Sequence, residues 1–157
     1  MADKEKLMGE FESGFEKMKK ELGFKSGLAE LDRIFFLKDG VLKVGFVSDG
    51  LSRQVCSRII ETYMSWNNYL HGLIMPHPQN ILNLTESKAV KDEADRKKIS
   101  GAMKMAMELA SRNTLIGLTK DKKEEAKFID DAVRIWDKEF SPLLKEIMKK
   151  INESWKE

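Results

Sequence analysis

The sequence predicts an all-α protein: a single-domain bundle of about five or six helices, mostly antiparallel. Apolar residues recur at intervals of three and four in nearly every segment, which is the period of a helix with one buried face. Gly23, Gly45 and the prolines Pro76 and Pro78 separate these periodic segments. At 157 residues, the chain is long enough for one core without a metal or a disulfide.

The charge and cysteine content exclude several classes of protein. The 28 basic and 26 acidic residues give a net charge of +2, a near balance that does not indicate nucleic acid as a ligand. Cys56 is the only cysteine and cannot form an internal disulfide, which favours a reducing compartment. Because neither a secretory signal nor a membrane-spanning apolar run is present, we expect a cytoplasmic protein with no membrane segment.

The first half of the chain predicts two helices before the long central one. Apolar spacing places the first over about residues 3–22, and residues 1–23 belong either to the domain or to a loosely attached arm. Ser26 is expected to cap the next helix. Residues 34–47 form either the continuation of that helix or a short hairpin, because glycine at position 40 costs about 1 kcal/mol in a helix.

The second half predicts three longer helices. The third spans about residues 50–75, followed by one short turn over residues 80–84, and the fourth spans about residues 92–118. The fourth helix has an inner line of mostly small residues: Ile99, Ala102, Ala106, Ala110, Asn113 and Gly117. From Lys122 the apolar period crosses Pro142, so the last helix is either kinked or divided in two there.

A segment without charge is the most informative feature for function. Residues 62–85 contain no Asp, Glu, Lys or Arg, whereas 34% of the whole chain is charged. This segment is either the buried centre of the bundle or a surface that meets a partner. Aromatic residues and methionine are enriched in interface cores, while lysine and glutamate are depleted. The candidate interface residues are Trp66, Tyr69, Met75, His77 and Pro78.

Polar residues in the third and fourth helices form a second candidate site. Asn67 interrupts the apolar line of the third helix, with His71 one turn later, and Arg112 and Asn113 lie on the fourth. Buried amides need hydrogen-bond partners, so these residues form either a network that fixes helix register or a pocket for a polar ligand. Lysines 120, 122 and 123 would extend such a pocket toward phosphate groups of RNA.

Motifs for catalysis, metals and cofactors are absent from the sequence. His71 and His77 have no carboxylate or thiol at ligand spacing, and neither nucleotide-binding glycine motif occurs. Cys56 falls on an apolar helix face, which is typical of a core residue. We therefore predict a non-enzymatic protein without cofactor or metal that binds another protein or itself through residues 62–85. The alternative is a small polar ligand- or RNA-binding protein using the Asn/His/Arg cluster.

Overall fold

The structure, a computed structural model, describes residues 2–157, with Ala2 described only as part of a helix. These residues contain no strand, and the predicted all-α class is confirmed. The helices are α1 (Ala2–Leu22), α2 (Leu28–Phe35), α3 (Leu37–Val44), α4 (Leu51–Ile74), α5 (Ile81–Ala89), α6 (Glu93–Thr119), α7 (Lys122–Ile135) and α8 (Ser141–Lys156). Within the described range the total is seven when the 35 residues from Lys122 to Lys156 are taken as one helix, slightly above the five or six predicted.

Backbone contacts divide the chain into two compact units. One contains the residues up to Thr62 together with Ser111–Val133, and the other contains Tyr63–Ala110 and Arg134–Glu157. We call them the first and the second unit. Helices α4 and α6 each contribute to both. That the whole chain forms one domain stays a prediction.

The first unit has an aromatic core. Phe11, Phe15 and Phe24 are buried, and the rings of Phe15 and Phe24 meet edge to face with centroids 5.7 Å apart. The predicted cap at Ser26 is wrong, because Gly27 is the N-cap of α2. Ser26 instead donates its hydroxyl to the Asp130 carboxylate at 2.7 Å, which ties this loop to α7.

Residues 34–47 contain no hairpin and are helical up to Val44, as one alternative expected, but the helix is broken once. Phe36 adopts a left-handed conformation with φ of 54° and separates α2 from α3. Its N–H donates to the carbonyl of Asp32 at 2.9 Å, and the Asp32 carboxylate accepts the N–H of Lys38 at 2.9 Å. The left-handed residue is therefore bracketed by hydrogen bonds that end one helix and start the next. Gly45, with φ of 86°, ends α3 where predicted.

The second unit is built around Tyr63. Its ring meets that of Phe140 at a centroid distance of 5.0 Å and that of Trp136 at 5.7 Å. Beside this cluster, α5 is longer than the single turn predicted for residues 80–84. Asn80 caps α5 by accepting the N–H of Asn83 at 3.0 Å, and the α5 residue Ser87 donates its hydroxyl to the carbonyl of Leu73.

The C-terminal helix is continuous through Pro142. A π-helical segment, Trp136–Phe140, joins α7 to α8. The N–H of Ser141 donates to the carbonyl of Trp136, so the last turn before the proline is wider than an α-turn. Proline in an α-helix lacks an N–H and clashes with the carbonyl four residues earlier. The wide turn occurs where that clash would fall, which explains why the chain remains helical.

The inner line of α6 differs from the predicted one after Ala106. The buried residues continue through Leu109 and Ile116, whereas Ala110 and Asn113 are partly exposed and Gly117 is exposed. At about 100° per residue, the predicted line of alternating steps of three and four residues stays on one face of the helix. The buried residues instead step by three from Ala106 to Leu109 and by seven from Leu109 to Ile116, so the buried face lies about 80° from the predicted line at the end of α6.

Candidate functional site

Three large apolar side chains are exposed at the turn between α4 and α5, inside the second unit. Met75 is 67% exposed, Ile81 is 76% exposed and Leu82 is 66% exposed. We call these three residues the α4–α5 surface. His77 and Pro78 between them are exposed as well. The surface belongs to the uncharged segment. A charged group from another helix lies next to it, because Arg96 of α6 donates to the carbonyl of Ile74 at 3.2 Å.

The two aromatic candidates of this region are partly buried. The ring of Trp66 meets that of Tyr69 edge to face at 6.0 Å. The hydroxyl of Tyr69 and the indole N–H of Trp155 donate to the two oxygens of the Glu86 carboxylate, each at 3.0 Å. Burial, together with the negative charge of Glu86, raises the pKa of Tyr69. Through the Glu86 carboxylate these groups link α4, α5 and α8 to one another.

Gly72 near the end of α4 packs closely against the side chain of Asn83 in the first turn of α5. A Cβ atom built on Gly72 would lie 2.8 Å from Nδ2 of Asn83, closer than non-bonded atoms approach. Glycine at this position lets the start of α5 lie directly on the end of α4. Ile81 and Leu82 precede Asn83 in the first turn of α5. Sequence analysis missed both residues as candidates because it expected only one turn there.

The polar candidates Asn67 and His71 belong to the second unit. Asn67 is buried, and its Nδ2 approaches the sulfur of Met107 at 3.7 Å. Its Oδ1 atom is buried with no hydrogen-bond partner among residues 2–157. His71, one turn later, is exposed. Within this unit the two side chains therefore have different environments.

The polar candidates Arg112 and Asn113 belong to the first unit, where each has partners. The guanidinium of Arg112 pairs with Asp131 at 3.0 Å and lies 5.7 Å from the centre of the Phe128 ring. Asn113 accepts hydrogen bonds from Arg53 through both its backbone and its side-chain oxygen. A ligand site made of all four polar residues stays a prediction.

Arg53 also pairs with a buried carboxylate that sequence analysis did not single out. Its Nη1 lies 2.8 Å from Oε2 of Glu125, which is buried. Burial alone would raise the pKa of Glu125, but hydrogen bonds from Ser52 and Arg53 and the nearby charge of Lys122 outweigh it, and the pKa falls below its ordinary value. Paired and hydrogen-bonded in this way, Glu125 acts as a structural link between α4 and α7.

Cys56 is fully buried in the same region. Burial, with the negative charge of Glu125, raises the pKa of the thiol to about 12. The thiolate is the nucleophilic form of cysteine, so this side chain is suited to packing and not to covalent catalysis.

Comparison with known protein families, characterised proteins and solved structures finds no match to the chain. Across residues 2–157, no group of His, Cys, Asp or Glu side chains is arranged to hold a metal ion. The helices of this same range include none that is long and apolar enough to cross a bilayer.

Proposed function

We propose that this is a non-enzymatic cytoplasmic protein that mediates protein–protein association through the α4–α5 surface, with a second copy of the chain as the first partner to test. The supporting observation is the exposure of Met75, Ile81 and Leu82, each about two-thirds or more open to water. Exposed apolar patches usually mark contact sites, whereas single exposed apolar residues are ordinary. Met75 lies in the turn after α4, and Ile81 and Leu82 lie in the first turn of α5. We take these three neighbouring residues as one patch.

The lack of charge supports contact between identical surfaces. In a two-fold dimer the same patch lies on both sides of the interface. Like charges brought together in such a contact would oppose it, but residues 62–85 carry no Asp, Glu, Lys or Arg. Two copies of the uncharged segment can therefore meet without repulsion between like charges, whereas two copies of a charged surface cannot.

The expected affinity is modest. In a two-fold dimer both copies bury these three side chains, and the six together contribute on the order of 8 kcal/mol. Lost translational and rotational freedom offsets at least a similar amount. We expect neighbouring contacts from His77 and Pro78 to contribute the remainder, and a dissociation constant in the micromolar range or weaker.

Sedimentation velocity across a concentration series tests the proposal. We expect the average mass to rise with concentration, and Met75→Glu or Leu82→Glu to abolish the rise while the thermal midpoint changes little. Leu118→Glu is the matched control, because Leu118 is 77% exposed but belongs to the first unit. A wild-type chain that remains monomeric at millimolar concentration would overturn self-association, and equal effects of all three substitutions would overturn the assigned surface.

A further inference from the structure

A pocket of about 240 Å³ lies within the first unit, between α1, α3 and α4. Its floor is apolar and is formed by the almost fully buried Phe11, Leu37, Val41 and Val55, and the largely exposed Val44 lies beside them. An engineered apolar cavity of about 150 Å³ is large enough to hold benzene. The volume here therefore suits a short aliphatic chain of roughly six to eight carbons, with any polar group left at the mouth.

The position of Arg58 at the edge of this pocket is fixed from three sides. Its Nε donates to the carbonyl of Phe35 at 3.0 Å, and its Nη1 pairs with Glu61 at 3.0 Å. A Cβ atom on Gly40 would lie 3.2 Å from Cδ and Nε of Arg58. Glycine at position 40 thus leaves room for the arginine side chain to lie across α3.

The mouth of the pocket has an excess of positive charge. Its charged lining residues are two cations, Lys43 and Arg58, and one anion, Glu61. Arg58 and Glu61 pair with each other, whereas Lys43 forms no ion pair with any part of the chain from residue 2 to residue 157. The uncompensated cation next to an apolar floor is complementary to a molecule with a short apolar tail and one negative charge.

We propose that this pocket binds small amphipathic monocarboxylates of the medium-chain fatty acid class. The alkyl chain lies along Val44 over the floor of Phe11, Leu37, Val41 and Val55, and the carboxylate remains at the mouth beside Lys43 and Arg58. This binding activity is separate from association through the α4–α5 surface, and either can fail without the other.

Titration of the ¹⁵N-labelled full chain with octanoate, octanol and octylamine tests the assignment by NMR. We expect octanoate to shift amide signals of α3 and of the first half of α4, with weaker binding of octanol and the weakest of octylamine. No octanoate binding up to millimolar concentration would overturn the proposal. So would shifts confined to the α4–α5 surface, because they would report adsorption to the exposed apolar patch.

Charge variants at the mouth separate specific recognition from adsorption. Lys43→Gln should weaken octanoate binding roughly two- to five-fold, the range expected for a partly screened ion pair. Glu61→Gln should strengthen it by a similar factor, because it removes the competing carboxylate. Both variants should leave octanol binding unchanged. The control is Lys104→Gln on α6, at an exposed lysine outside the pocket, which should change neither octanoate nor octanol binding. Equal octanoate affinity in all four proteins would overturn the assigned carboxylate position.

Discussion

The amide nitrogen of Asn83 lies 2.8 Å from the point where any side chain on Gly72 would begin. Inside the second unit, the backbone of α4 at Gly72 therefore lies in direct contact with the side chain of Asn83 on α5. Ile81 and Leu82 immediately precede Asn83 in the first turn of α5, so this contact lies next to the exposed apolar patch.

Replacing Gly72 with alanine should displace the side-chain amide of Asn83. Because this amide is the end of a flexible side chain that can shift, we expect the cost of moving it to offset part or all of the gain of about 1 kcal/mol that alanine brings in helix propensity, so that Gly72→Ala is stabilised less than the control in urea melts. Gly9→Ala is the control, since a Cβ there meets nothing within 4 Å and should stabilise α1. A Gly72→Ala protein as stable as Gly9→Ala would contradict the close contact.

Replacing Asn67 with leucine should stabilise the protein. The buried Oδ1 of Asn67 has no partner within residues 2–157, and an unsatisfied buried polar group costs about 1 to 3 kcal/mol. Leucine has a similar shape and no polar atom, so the thermal midpoint should rise by a few degrees. A lower midpoint would mean that the amide is satisfied by a bound water or ligand and would support a polar site at this position.

The buried thiol of Cys56 should be unreactive in the native protein. Because burial raises its pKa from 9.0 to about 12, a disulfide reagent at pH 8 should modify it only as fast as the chain unfolds, and at once in guanidinium. Above pH 9 the Cys56 thiol keeps its proton in the folded state but loses it in the unfolded state. From this group alone, the unfolding free energy should fall by up to about 1.4 kcal/mol per pH unit above pH 9, a slope absent from Cys56→Ala.

The lowered pKa of Glu125 predicts an opposite dependence at acid pH. A carboxyl group whose pKa is lower in the folded state stabilises it above the unfolded value of about 4.5 and loses that contribution as pH falls through the folded value. We expect Glu125→Gln to cost about 2 kcal/mol near neutral pH, because Arg53 loses its charged partner. The difference from wild type should shrink as pH falls below 4. Glu124→Gln, at an exposed neighbouring position, should show little effect at either pH.

Helix positions were largely predictable because they depend on local periodicity. Helices α1, α4 and α6 begin and end within about two residues of the predicted bounds, since caps and breakers coincide with changes in apolar spacing. The division at Phe36 was not predictable, because a left-handed phenylalanine is held by hydrogen bonds around it and has no local signal. The rule that places apolar residues in the core also could not predict that Ile81 and Leu82 would be exposed.

The candidate sites were predictable only in part, for the same reason. The absence of charge pointed to the region of Met75, and the structure exposes that residue, but the packing of Trp66 and Tyr69 against their neighbours depends on distant Glu86 and Trp155. The pocket beside Arg58 had no sequence signal at all. Its floor and its mouth come from α1, α3 and α4, which lie far apart along the chain.

The π-helical segment before Pro142 has a consequence for how this part of the chain can vary. A π-turn holds about one residue more than an α-turn, so Trp136–Phe140 corresponds to a one-residue insertion in the C-terminal helix. The extra residue and the proline are coupled. Deleting a residue such as exposed Lys138 would restore the α-turn. The carbonyl of the residue then four positions before Pro142 would clash with the proline ring. The same deletion together with Pro142→Ala would leave an uninterrupted α-helix. The proline therefore depends on the inserted residue, whereas the hydrogen bond of the wide turn, from Ser141 to Trp136, does not involve the proline.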